Sequence, residues 1–312
     1  MRTSETAVTA LFALGASAGL GSIIYGVVKA NAPAKLNANV TCSFLMSISG
    51  NCTRILANSN AFIFEKTILS IAVFSYSLAL GFDCDETQPT LGLCLKLITA
   101  GSVGAWNAAQ IVRLHSAIRG FVDCCSQMPR LQLFTRIVDN SETQPLNVSD
   151  SINTETKVAI TAFCCYSAGA SIGYSAFSIG LLTNAPIEKL EPFITFAFIM
   201  SHWGNLIRTE FNLAASMFEK NYIRVAVISY CIALCCDFLN TNKSNMIGAY
   251  TKLTAAGFVG LWNTVQTWRL NSVLLEVATN EEEQGLELQQ QTNYQSAADE
   301  NNDSCTVSPL HV

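Results

Sequence analysis

Lys96–Ser116 reads KLITAGSVGAWNAAQIVRLHS, and Lys252–Ser272 reads KLTAAGFVGLWNTVQTWRLNS. Twelve of the twenty-one aligned positions are identical, and the matches are not only apolar: Lys, two Gly, Trp, Asn, Gln and Arg recur in register. Shared apolar composition alone does not reproduce polar residues at fixed places, so the two stretches read as the same helix of a duplicated unit. A conserved length of apolar helix with a Lys at one end and an Arg at the other reads as a membrane span.

The rest of the chain falls into place around this pair. Ala7–Val28 answers Val158–Leu182, each with a stripe of small residues on one helix face: Gly15, Gly19, Ser22 and Gly26 in the first, Gly169, Gly173, Ala176 and Gly180 in the second. Such faces let helix backbones approach closely in lipid. Asn31-Ala32-Pro33 and Asn184-Ala185-Pro186 then mark turns. The second span, Val40–Ala57, answers Pro192–Ile207, and both carry Gly-Asn-x-x-Arg (Gly50, Asn51, Arg54; Gly204, Asn205, Arg208). The third, Thr67–Phe82, answers Tyr222–Cys236; each follows Phe-Glu-Lys and stops at an acid, Asp83 or Asp237. The fourth spans are Leu91–Val112 and Ile247–Trp268.

The expected fold is therefore an all-α integral membrane protein: a tandem duplication of a four-helix unit, eight spans in all. The first unit covers residues 1–119, a polar cytoplasmic linker 120–156, the second unit 157–278, and a disordered acidic tail 279–312. An even number of spans per unit gives both copies the same orientation, a parallel repeat. Composition agrees: half the residues are apolar and 13% are charged, against about 25% charged in ordinary soluble domains. The net charge of −5 comes largely from the tail, and no basic block points to nucleic acid.

Arg and Lys set the orientation. With the termini and linker on one side, that side holds Arg2, Arg54, Lys66, Arg113, Arg208, Lys220 and Arg269 among others, and the other side about half as many. Both termini are expected to be cytoplasmic. Lys96 and Arg113 read as snorkelling to opposite interfaces. Asn39 and Asn242 head glycosylation triplets on the far side, Cys124-Cys125 is a palmitoylation candidate, and Cys84 and Cys94 could pair in an oxidising compartment.

Two groups of polar residues are candidates for function. Arg54, Glu65, Lys66 and Arg113, repeated as Arg208, Glu219, Lys220 and Arg269, gather at the cytoplasmic helix ends. They read either as an ion-pair lock, with Glu65 also favoured by the helix dipole, or as a gate or a site for anionic lipid headgroups. Asn51, Asn107 and Gln110, repeated as Asn205, Asn263 and Gln266, lie within the spans. There they bond neighbouring helices or line a polar cavity.

No nucleophile–base pair recurs, and neither a phosphate loop nor metal-ligand spacing is present, so the chain is read as no enzyme and no cofactor is called for. Three functions remain. The first is a non-catalytic protein that organises membrane or partner proteins by helix packing, with membrane lipids as partners and other membrane proteins or a second copy as further candidates. It is preferred because every repeated charge can be placed at an interface. The second is a transporter or channel with a polar path between the bundles. The third rests on Glu281-Glu282-Glu283 and the apolar residues at the chain end, loosely similar to the export signals of bacterial effectors that insert into host membranes.

Overall fold

The computed structural model describes residues 2–29, 33–85, 88–127, 148–183, 186–241 and 243–272. Among these the chain is entirely helical. The helices are α1 (Arg2–Lys29), α2 (Pro33–Ala57), α3 (Ile63–Asp85), α4 (Pro89–Gln127), α5 (Val148–Thr183), α6 (Ile187–Glu210), α7 (Met217–Leu239) and α8 (residues 243–272). Residues 1–266 form one compact unit; of the second, 267–312, only the end of α8 is described.

The helix ends have local causes. Ser216 caps α7 by accepting from the Glu219 backbone N–H at 3.2 Å, and Asn240 closes it in the left-handed region (φ 41°). At α3 the Glu65 carboxylate turns back to accept from the Phe62 N–H at 2.9 Å. Two boundaries differ from expectation. Helix α6 starts at Ile187, so Pro192 lies inside it, in the second turn, where the missing N–H removes one i→i−4 backbone bond. The segment expected as linker is partly helical, since α4 runs to Gln127 and α5 begins at Val148. The core of the linker and the tail, with the Asn242 triplet, fall outside the described residues, as do the Cys124 and Cys125 side chains.

Among the described residues four helices are long and apolar enough to cross a membrane: α1, α3, α5 and α7. They also carry outward-facing apolar side chains, among them Ile24, Phe74, Ile160 and Ile228. The even-numbered helices hold most of the buried polar residues, including Thr41, Ser43, Lys96, Asn107, Thr195, Asn205, Lys252 and Asn263. Odd helices thus form an apolar exterior and even helices a more polar interior. This is why α2 reads as the least apolar span of its half: its polar atoms face the middle of the protein, not lipid.

The small-residue stripes fix how these layers meet. Gly15 backs onto α2 at Ser43 and Met46, and Gly169 onto α6 at Ala197 and Met200. One turn further, Gly19 meets Gly257 of α8, and Gly173 meets Gly101 of α4. So α1 crosses the helix that ends the second half, and α5 the helix that ends the first. The two halves are interlocked through their first helices.

Candidate functional site

The α3–α4 turn is short, so the two helices run antiparallel and the acid near the end of α3 faces the start of α4. Asp83 there meets Lys96 Nζ at 2.7–2.8 Å, and Thr41 of α2 donates to the second carboxylate oxygen. The same arrangement occurs at α6–α8. Thr195 donates to Asp237, and Lys252 Nζ donates to Asp237 at 2.8 Å and to Glu191 at 2.7 Å. Both lysines are buried, Lys96 9% and Lys252 8% exposed. The expectation that Lys96 snorkels to an interface is therefore corrected: it is turned inward and neutralised by a carboxylate, as a buried charge must be.

These groups line a common cavity of about 350 Å³. Asn37, Thr41, Asp83 and Lys96 line it from the first half of the chain and Glu191, Thr195 and Lys252 from the second, with Phe44, Tyr76, Phe198 and Tyr230 completing the wall. The aromatic groups pack against one another. Phe44 stacks on Phe198 at 5.5 Å between centroids and on Tyr230 at 5.6 Å, and Tyr76 meets Phe198 edge-on at 6.3 Å. The imidazole of His202 continues the stack at 5.2 Å from Tyr230. It is buried, and neither ring nitrogen has a protein partner. The cavity is a charged chamber over an aromatic floor, able to hold a small solute with a polar head and an apolar body.

The cluster expected at the opposite helix ends divides. Glu65, fully buried, pairs with Arg113 at 2.8 Å. Arg54 instead donates to Asn51 at 3.0 Å, and Lys66 borders a shallow outer groove with Leu56 and Phe74. In the second half Arg208 donates to Gln110 of α4 at 3.2 Å, Glu219 is buried, and Lys220 and Arg269 are half-buried. Of the amides, Asn205 accepts from Tyr166 at 2.8 Å in the interior, Asn107 and Asn263 are buried, and Gln266 is half-buried. Asn51 and Gln110 thus serve as arginine acceptors. Cys84 and Cys94 are free thiols.

The repeated Gly-Asn-x-x-Arg explains one of these contacts. A Cβ on Gly204 would lie 2.5 Å from the Tyr166 ring, and one on Gly50 would lie 2.6 Å from Phe12. Each glycine seats an aromatic ring of the first helix of its half, and at Gly204 the ring's hydroxyl reaches Asn205. Replacing Tyr166 with Phe is expected to lower stability by about 1–2 kcal/mol, because the buried amide oxygen loses its donor; thermal unfolding in detergent measures it.

The sequence pointed to the amides and to a Glu65–Arg113 contact but not to the cavity. The missed signal was the acid at the end of each third helix, followed after a short turn by the repeated Lys. No protein-family model, no curated protein and no solved structure matches this chain.

Proposed function

We propose that the chain is a multi-pass membrane protein of eight spans, built by tandem duplication of a four-helix unit, which binds and passes a small polar solute through the space between the inner helices. The cavity carries this reading. Its walls come in related pairs from the two halves: Thr41 and Thr195, Phe44 and Phe198, Tyr76 and Tyr230, Lys96 and Lys252; Asp83 lines it too, while the related Asp237 lies behind Lys252. A site on a pseudo-two-fold axis, between repeats and carrying ionised groups, is the usual arrangement in transport proteins. Placement of every repeated charge at an interface favoured a packing role, and the inward lysines and acids remove that premise. With both termini cytoplasmic, the cavity opens on the opposite face, and the aromatic stack closes it toward the cytoplasm.

Cysteine accessibility tests the path. In a background without native Cys, Asn37→Cys lies in the cavity wall, and Asn107→Cys and Asn263→Cys lie about 16 Å further along α4 and α8 from Lys96 and Lys252. A membrane-impermeant maleimide is expected to label position 37 from the non-cytoplasmic side only and to leave 107 and 263 protected. Adding Phe198→Ala, which opens the stack, is expected to raise labelling at 107 or 263 by about tenfold or more. Protection at position 37 from both sides would return the protein to a packing role.

A further inference from the structure

We propose that the cavity takes a small organic monocation, an ammonium head on an apolar body, and that Glu191 supplies the charge that selects it. The inference rests on reading the cavity as a solute site. Its wall carries two carboxylates, Asp83 and Glu191, and two ammonium groups, Lys96 and Lys252, and a third carboxylate, Asp237, lies behind the wall in contact with Lys252. Lys96 and Asp83 close on each other as a neutral pair. Lys252 is shared between Asp237 and Glu191, so one negative charge is left over. It falls to the carboxylate most open to the cavity: the Glu191 side chain is 36% exposed, against 14% for Asp83 and 5% for Asp237. A monocation brings this wall to neutrality, whereas a monoanion doubles its charge where the dielectric is low.

A second observation points to a ligand at the same wall. Tyr230 lines the cavity and is buried, yet its hydroxyl has no protein partner, while the hydroxyl of the related Tyr76 reaches Thr41. A buried hydroxyl is seldom left unbonded. The unpaired charge and the unbonded hydroxyl both belong to the second half. The related position of Glu191 is Asn37 on the opposing wall, so the pairing of the two walls is broken at the group that sets the net charge. The rings of Phe44, Phe198, Tyr76 and Tyr230 then offer π faces to a cation and contact area to an apolar body.

Benzylammonium, benzoate and benzyl alcohol share one body and differ in charge, and each is small enough for the cavity. Binding of each to the full chain in phosphatidylcholine nanodiscs would be measured by calorimetry. Benzylammonium is expected to bind about tenfold or more tighter than the other two. Glu191→Gln is expected to abolish that preference and Glu191→Asp to retain it. Glu191→Asn combined with Asn37→Glu is expected to restore it, because the charge is moved to the related wall of the same cavity. A merely structural role for Glu191 would not predict that rescue. Equal or tighter binding of benzoate, an unchanged preference in folded Glu191→Gln protein, or no benzylammonium binding overturns the proposal. If benzylammonium fails to bind while Asn37→Cys is labelled, the ligand class alone is lost; if position 37 is also protected, the solute reading falls with it.

Discussion

Replacing Lys252 with Met is expected to destabilise the protein by about 3–5 kcal/mol, the cost of removing one partner from a buried ion pair. The reason lies in what is left behind. Lys252 Nζ is within 2.8 Å of Asp237 and 2.7 Å of Glu191, and its loss leaves two carboxylates facing each other without a cation. Asp237 has little access to solvent and keeps only Thr195 as a donor. The related change, Lys96→Met, strands one carboxylate that keeps the Thr41 donor, so the smaller loss is expected there. The pair of variants separates a general effect of deleting a lysine from the specific effect of two acids on one cation. Adding Asp237→Asn and Glu191→Gln to Lys252→Met is expected to recover most of the loss, because neutral side chains no longer need the ammonium group. Thermal or denaturant unfolding in detergent micelles would measure all three. Equal destabilisation by Lys252→Met and Lys96→Met would show that Glu191 adds nothing to the folded state.

The same lysines show how far the sequence could be read. Their recurrence, with the Trp, Asn, Gln and Arg that follow, was legible because identity at polar positions survives without any knowledge of contacts. Their direction was not. A Lys at the start of an apolar helix has two physically sound fates, an outward reach to water or an inward pair, and only the partner decides between them. The partners, Asp83 and Asp237, sit at the ends of the preceding helices and read equally well as loop acids. Glu191 was harder still, since its counterpart is Asn37 and a search for repeated residues passes over it. Glu65 with Arg113 could be anticipated because both ends of the pair recur together, whereas Arg54 found an amide on its own helix instead of the same carboxylate. The small-residue stripes were legible as packing faces, but which helices each would meet depended on the crossing of each first helix with the last helix of the other half, which no local pattern encodes.

That crossing supplies the other large effect. Gly173→Ala is expected to destabilise the protein by about 1–3 kcal/mol, and Gly173→Leu to prevent stable folding. A Cβ at position 173 would stand 2.5 Å from the Gly101 backbone nitrogen and 2.9 Å from the Leu97 carbonyl oxygen. Both obstacles are backbone, so no rotamer change relieves them, and α4 and α5 must separate. The related crossing of α1 and α8 behaves alike: a Cβ at Gly19 would lie 2.8 Å from the Gly257 nitrogen, and one at Gly260 would lie 2.6 Å from the Ala16 nitrogen. Gly81 and Gly21 are the controls, because nothing lies within 4 Å of a Cβ built there. Alanine at those two sites is expected to leave stability unchanged or raise it by up to about 1 kcal/mol through helix propensity. Opposite signs at Gly19 and Gly21, both on α1, would separate the effect of close backbone approach from that of losing a flexible residue. If Gly173→Ala proved as harmless as Gly81→Ala, the tight crossing of α4 and α5 would be wrong. Since Leu97 and Gly101 follow Lys96 within two turns on α4, loosening this crossing is also expected to displace the Lys96–Asp83 side of the cavity, and with it the alignment of its two walls.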